Sequence, residues 1–306
     1  MKINTRGKNI TIIGGSGGMG QVFGKYFKQH GYNVTLFARN ENNLREAAEN
    51  LGVKYEIDLK SSVNNADIVM ISVPIHSTSG IIKKVAPLMK QNSLLFDITS
   101  IKEYICNLLS KMSEKYPINC LSLHPMFGPG ITNMKNYHII VLRIGGTEQY
   151  DDIVRELLDL FKSDGLILIE TNPQTHDSRI ALTLGVPHMF NILFLNLLNR
   201  TGEPLNELTR YTGTTFLLQK VFAESIIQRE MEMFGEIQIE NDRFHNIIEI
   251  FEDLLKEYKH IIKKKDLNGF KKIFTEGLEY SREDDHFENS YDYFYGFMKI
   301  LKEEKE

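Results

Sequence analysis

Tryptophan is absent from the sequence, and cysteine nearly so, with Cys106 and Cys120 the two in 306 residues. Neither stands in a CxxC or metal-ligand spacing, so a disulfide scaffold is excluded and no metal site is expected. This usage fits a reducing compartment, and a cytoplasmic location is expected. An excess of charge is lacking too. Thirty-six basic residues stand against 40 acidic ones, for a net charge of −4, so neither a nucleic-acid-binding nor a membrane-surface protein is implied. No apolar run is long enough to cross a membrane, which takes roughly 20 residues. The opening MKINTRGKNITIIGG lacks the basic-then-apolar pattern of a signal peptide. No internal repeat or low-complexity segment is present. The lysine run 263–265 and the tail 302–306 read as solvated ends.

What is present is ordinary globular composition, 42% hydrophobic and 25% charged. That is enough for two domains, each with its own core. The two domains are expected to use up the 306 residues, leaving no room for a further fused domain. Apolar strand signals fall at 9–14, 33–38, 54–57, 67–73, 93–98, 119–123, 138–143 and 166–170. Helical periodicity lies between most of them, at 21–30, 42–50, 78–89, 102–115 and 151–163. Alternation of this kind predicts an α/β fold with a doubly wound, mostly parallel sheet. After Thr171-Asn172-Pro173 only helical periodicity remains, which predicts an α/β domain over 1–172 and an all-helical domain over 173–306. The stretch 181–198 is more apolar than one face of a small helical domain needs, and a homodimer joined through the helical half is expected.

The segment IIGGSGGMG carries Gly15-x-Gly17-x-x-Gly20 immediately after a strand and at the start of a helix. In that context the glycines permit a tight turn, a close backbone approach to a pyrophosphate and close helix–strand packing. The N–H groups and positive dipole end of the helix then face the phosphates. Gly15, Ser16, Gly17, Gly18, Met19 and Gly20 are therefore assigned to dinucleotide binding. Ser72, Val73 and Pro74, closing the strand 67–73, are assigned to the same cofactor. The acidic residue expected at the end of the second strand is missing, and Arg39 stands there instead. A guanidinium pairs well with a 2′-phosphate, so NADP is favoured, with NAD possible. Asn40 and the next helix N-terminus could add weaker donors.

Candidates for proton chemistry stand at strand ends or at the start of the helical half. Ser100 follows LLFDI, His124 follows CLSL, His176-Asp177 opens the helical stretch, and His188 lies further along. An alcohol that gives up hydride needs a base for its hydroxyl proton, and histidine suits neutral pH. His76 in SVPIH is either a cofactor-mouth or a helix-start residue. His176 and Asp177 read as capping and orienting the first helix of the second domain.

The stretches GGSGGMGQVF, SVPIH, DITSIK and LHPMFGPG, and THD with a histidine twelve residues on, resemble the prephenate dehydrogenases of tyrosine biosynthesis. The resemblance runs from about residue 10 to at least 190. It implies a Rossmann-type nucleotide-binding domain and the oxidative decarboxylation of prephenate to 4-hydroxyphenylpyruvate, with hydride passing to a nicotinamide. It also implies that His124 takes the C4 hydroxyl proton, that Ser100 orients His124 and touches the same hydroxyl, and that His188 lines the substrate pocket. An arginine clamps the substrate carboxylate; Arg210 is the candidate and Arg229 its rival. Arogenate is the alternative substrate. A lysine expected of 3-hydroxyacid dehydrogenases is missing near 176–188. A non-catalytic NADP sensor on the same fold would not need Ser100, His124 and His188 together.

Overall fold

Eight strands form one sheet in the computed structural model, which describes residues 7–229 and 231–303. Residues 1–6, read above as free of a signal pattern, and 304–306, the end of the tail, lie outside the described residues. The strands are β1 Asn9–Ile13, β2 Asn33–Phe37, β3 Lys54–Glu56, β4 Ile68–Ile71, β5 Leu94–Asp97, β6 Asn119–Pro125, β7 His138–Gly145 and β8 Ile167–Glu170. Their order in the sheet is β3-β2-β1-β4-β5-β6-β7-β8. From β3 across to β6 every pairing is parallel, whereas β7 runs antiparallel to β6. The sequence predicts both strands and leaves their direction open. The connection 126–137 contains no helix to carry the chain back across the sheet, so the next strand returns antiparallel.

The helices of this part are α1 Gly18–Gln29, α2 Glu41–Leu51, α3 Leu59–Val63, α4 Ile75–Val85, α5 Glu103–Lys115, α6 Tyr150–Ser163 and α7 Pro173–Ile180. Because the sheet is covered on both faces, its central strands are apolar almost throughout, and successive residues serve opposite layers. Ile10, Ile12, Met70, Phe96 and Leu121 pack with Phe23 and Phe27 of α1 and Phe161 of α6. Ile13, Val69, Ile71, Leu95 and Cys120 pack with Ile82 and Val85 of α4 and Ile105 and Leu109 of α5. Cys106 and Cys120 are free and buried.

The chain divides into two compact units, the first closing at Ile180 and the second opening at Ala181. The sequence places the division near 172. The difference is α7, which the contacts assign to the α/β unit.

The second unit is helical among the described residues: a π turn over Ala181–Gly185, then α8 Val186–Thr201, α9 Leu205–Arg210, α10 Thr214–Ile227, α11 Met231–Ile239, α12 Phe244–Lys264, α13 Leu267–Ser281 and α14 Ser290–Glu303. Its buried cluster is small, formed by Ala181, Met189 and Phe244. Leu193, Leu197, Phe222, Met231 and Ile250 stay exposed within the single chain.

One expectation needs correction here. The helical stretch Pro173–Thr201 spans 29 residues and holds an 18-residue window with a mean hydropathy of 1.6, 22% of it buried, so by length and composition alone it qualifies to cross a membrane. In the sequence Asn191 and Asn196 break the run. In the helix their amides donate back to the Pro187 and Ile192 carbonyls of the preceding turn, leaving an apolar surface.

Candidate active site

The register of the sheet brings the assigned residues of the first unit to one edge. Ile13 is level with Phe37 and Ile71, Ile71 with Asp97, and Asp97 with Ser122. The segments that follow β1, β2, β4 and β5 therefore leave the sheet on one side. That side is the carboxyl edge, where open α/β sheets hold ligands, next to the switch point between β1 and β4.

The turn after β1 is shaped for a phosphate. Gly14 has φ 86°, and a Cβ there would run into the Ser72 carbonyl, so residue 14 must be glycine in addition to the three assigned from the motif. At Gly18 a Cβ would lie 2.9 Å from the Pro129 ring, which comes from the segment after β6. Gly17 caps α1 and provides no capping side chain, so the first-turn N–H groups are not claimed by one. A close backbone approach and open N–H groups fit a pyrophosphate. Gly15 and Gly20 are buried, Ser16 and Met19 half-buried. Ser72 pairs back to β1 through its N–H and the Ile13 carbonyl at 2.8 Å. Val73 follows it, and Pro74 is the N-cap of α4. His76 lies exposed in the first turn of α4.

Arg39 follows β2 and is exposed. Among the described residues it makes no ion pair or side-chain hydrogen bond, which leaves its guanidinium available to an anion. Asn40 is already engaged, its side-chain oxygen capping α2 by accepting from Asn43 N–H at 3.0 Å.

The chemistry concentrates at the ends of β5 and β6. The sequence puts His124 just after its strand, whereas β6 continues through Pro125 because β7 pairs with it there, His124 opposite Ile140. His124 is 4% exposed. Burial pushes its pKa well below the usual histidine value, and the neighbouring His176 and Lys102 lower it further. Its Nδ1 lies 2.9 Å from His176 Nε2, and His176 Nδ1 lies 2.7 Å from Asp177 Oδ1. Burial also lowers the pKa of His176, with Asp177 opposing the shift. The Asp177 carboxylate accepts from the backbone N–H of Lys102 at 2.9 Å and of Glu103 at 2.9 Å, capping α5 from a distance in sequence.

Lys102 is fully buried and paired with fully buried Asp97 at 2.7 Å. Its Nζ also donates to the Leu123 carbonyl at 2.7 Å and to Thr99 Oγ1 at 3.4 Å. Asp97 accepts from Thr99 N–H at 2.9 Å and from Ser122 Oγ at 2.5 Å. The strand end carrying His124 is thus pinned by a lysine that is itself saturated with acceptors.

Ser100 is half-buried in the segment between β5 and α5. The Nδ1 hydrogen bond that orients His124 goes to His176, not to Ser100. His188 and Arg210 belong to the second unit. The His188 ring stands edge-on to Phe234 with centroids 4.7 Å apart, its buried Nδ1 has no partner among the described residues, and burial lowers its pKa. Arg210 ends α9, exposed and paired with Glu207 at 3.1 Å, and Arg229 is exposed after α10.

The residues that sequence reasoning misses are Asp97, Lys102 and Ser122, together with the partnership of His176 and Asp177 with His124. A signal existed for the first two. Asp97 closes the apolar run LLFD, and a carboxylate in such a strand requires a buried partner nearby. No sequence pattern brings His176 to His124, since 52 residues separate them.

A glycine turn at the switch point with a neutral histidine on the same edge marks the class of dinucleotide-binding α/β proteins. The model of the prephenate dehydrogenase nucleotide-binding domain matches residues 23–138, and that of the prephenate dehydrogenase dimerization domain matches 172–276. Together they cover more than half of the chain, and the chain belongs to the prephenate dehydrogenase family. It is 29% identical over 274 residues to a probable arogenate/prephenate dehydrogenase of Methanocaldococcus jannaschii, an alignment covering 89% of this chain and 60% of that protein. It is 27% identical over 270 residues to the T-protein of Haemophilus influenzae, covering 88% and 66%. This chain thus spans less than two thirds of the length of either relative. The crystal structure of prephenate dehydrogenase from Aquifex aeolicus in complex with hydroxyphenyl propionate and NAD+ shares the fold, with a TM-score of 0.73 at 19% identity over 90% of this chain and 98% of that one.

Proposed function

We propose that the chain is a nicotinamide-dependent dehydrogenase that converts prephenate to 4-hydroxyphenylpyruvate and CO₂. The observation that carries this reading is a buried histidine, held neutral, on the same sheet edge as a turn shaped for pyrophosphate. Prephenate is a cyclohexadienol, and loss of hydride from C4 requires that the C4 hydroxyl give up its proton. His124 is the base for that proton, being neutral where a free imidazole would be partly protonated. Ser100, at the end of the neighbouring strand, is proposed to hydrogen-bond the same hydroxyl. His188 and Arg210 of the helical unit are proposed to meet the substrate's ring surroundings and carboxylate, with Arg229 as the other candidate clamp. A bound nicotinamide dinucleotide supplies the hydride acceptor. Departure of the ring carboxylate as CO₂ leaves an aromatic ring, which drives the reaction. The test is spectrophotometric: reduction of NADP and NAD with prephenate and with arogenate. No reduction with either substrate would overturn the reading, and reduction with arogenate alone would reassign the substrate.

NADP is the proposed cofactor, on the free guanidinium of Arg39. A charge-assisted hydrogen bond contributes about 1.5–3 kcal/mol before desolvation, which makes a preference for NADP of roughly tenfold to a hundredfold reasonable. Arg39→Asp replaces attraction by repulsion and is expected to reverse the preference. The measurement is kcat/KM for both cofactors in both proteins. Equal or better use of NAD by the unsubstituted protein would show that Arg39 reads no phosphate.

A homodimer joined through the helical unit is proposed as well. The family model matched there is a dimerization domain, and Leu193, Leu197 and Ile250 are exposed in one chain. Light scattering is expected to give about twice the 35.3 kDa of one chain. A mass of one chain at working concentration would exclude it.

A further inference from the structure

We infer that Asp177 and His176 form a two-step relay that fixes the proton of His124 on Nδ1 and so makes Nε2 the basic nitrogen. The inference rests on the proposed role of His124 and assigns that role to one atom. A neutral imidazole has one N–H and one lone pair, so each ring in a hydrogen-bonded chain dictates the next. The Asp177 carboxylate only accepts. Its Oδ2 accepts from the backbone N–H of Glu103 at 2.9 Å and of Lys102 at 3.2 Å, while its Oδ1 shares the Lys102 N–H at 2.9 Å and faces His176 Nδ1 at 2.7 Å. His176 Nδ1 must therefore carry the proton, and His176 Nε2 must hold the lone pair. That lone pair lies 2.9 Å from His124 Nδ1, which must then be the donor. His124 Nε2 is left with a lone pair and no hydrogen-bond partner among the described residues.

Burial supports the same assignment. His176 and Asp177 are 1% and 3% exposed, and the pKa of each ring is lowered, so neither is expected to escape the constraint by taking a second proton at neutral pH. Lys102, paired with Asp97, lies near enough to both rings to lower the pKa of each. The sequence of groups is carboxylate, imidazole, imidazole, with one more ring than the arrangement that orients a base through a single carboxylate. Both His176 and Asp177 act through His124 and are positioning residues.

Asp177→Asn tests this with little change of shape. Both backbone N–H groups at the start of α5 reach the Oδ2 position and hold the amide oxygen there, so the amide NH₂ takes the Oδ1 position facing His176 Nδ1, and Lys102 N–H keeps its Oδ2 contact alone. His176 must then accept at Nδ1 and donate from Nε2. His124 must accept at Nδ1, and its proton moves to Nε2, where the base should be. Histidine-selective ¹⁵N spectra of the full chain, with the His124 signal assigned by its loss in His124→Asn, read the tautomer directly. The expected result is protonation at Nδ1 in the unsubstituted protein and at Nε2 in Asp177→Asn, with kcat lowered by about 10²–10⁴-fold and dinucleotide affinity unchanged. His176→Gln, whose amide oxygen can still accept from His124 Nδ1, is expected to keep the Nδ1 tautomer and most of kcat. His176→Leu is expected to lose both, and it serves if Asp177→Asn does not fold. Protonation at Nε2 in the unsubstituted protein, or an unchanged tautomer in both Asp177→Asn and His176→Leu, would overturn the relay. The spectra need no substrate, so if the tautomers behave as stated and neither prephenate nor arogenate reacts, it is the proposed function that fails.

Discussion

Replacing His124 with asparagine is expected to lower kcat for prephenate by about 10²–10⁴-fold, the usual contribution of a general base. The substitution is conservative for the fold. An asparagine amide NH₂ occupies nearly the position of imidazole Nδ1 and can still donate to His176 Nε2, so the 2.9 Å contact has a successor. What disappears is Nε2. Dinucleotide affinity, measured by fluorescence titration, is expected to stay unchanged, because the glycine turn lies on β1 and α1. A kcat within a few-fold of the original would mean that His124 is not the base.

The same residue sets the pH dependence. Its pKa is lowered, first by burial and then by His176 and Lys102. The neutral, active form therefore persists below the usual histidine value of about 6.5. The acid limb of kcat/KM is expected well below that value, and activity is expected to be flat from there to pH 8 on account of this group. Stability follows the same sign. Above about pH 6.5 His124 is neutral in both folded and unfolded chains, and its contribution is fully present. As pH falls toward the lowered folded pKa, the unfolded chain takes a proton that the folded one refuses, and stability is lost. An acid limb with its midpoint at or above 6.5 would contradict the burial of His124.

The fold was legible because its signals are local. Apolar strands alternate with amphipathic helices, and the glycine turn announces the junction of β1 and α1 in a nine-residue segment. The direction of β7 was not legible, since it depends on what a helix-free connection does in space. The candidate site divides in the same way. Glycine, Arg39 and His124 could be singled out where they stand, beside strand ends. The partners of His124 could not, because α7 brings His176 across 52 residues to β6. Asp177 read as a helix cap in the sequence, and it is one, but for α5 rather than for its own helix. Lys102 in DITSIK carries no signal of its own, because lysine is ordinarily a surface residue, and only the three-dimensional arrangement shows the acceptors that let it be buried.

Lys102→Met is expected to cost the first unit about 3–5 kcal/mol, the loss that follows when one partner of a buried ion pair is removed. Methionine matches the length of the aliphatic stem, so little volume is lost. The charge on Asp97 loses its counter-ion in a site with no exposed surface, and the Leu123 carbonyl loses its donor one residue before His124. The Thr99 and Ser122 hydrogen bonds to Asp97 remain and soften the loss. Removing both charges in Asp97→Asn/Lys102→Met is expected to cost less than the single substitution, because an unpaired buried charge is worse than none. The comparison is a double-mutant cycle between residues in direct contact, where non-additivity is expected. Unfolding of a two-unit chain is not a single transition. Hydrogen exchange at the β5 and β6 amides reads the opening of this unit instead. Protection there is expected to fall by roughly 10²–10³-fold or more in Lys102→Met and to recover in part in the double variant. The acid limb set by His124 is expected to move up toward 6.5 when the Lys102 charge is gone, though not to reach it, since burial is the larger cause. Unchanged protection in Lys102→Met would mean that Asp97 is satisfied by its hydroxyl and amide donors alone and that the lysine is not what holds the end of β6 in place.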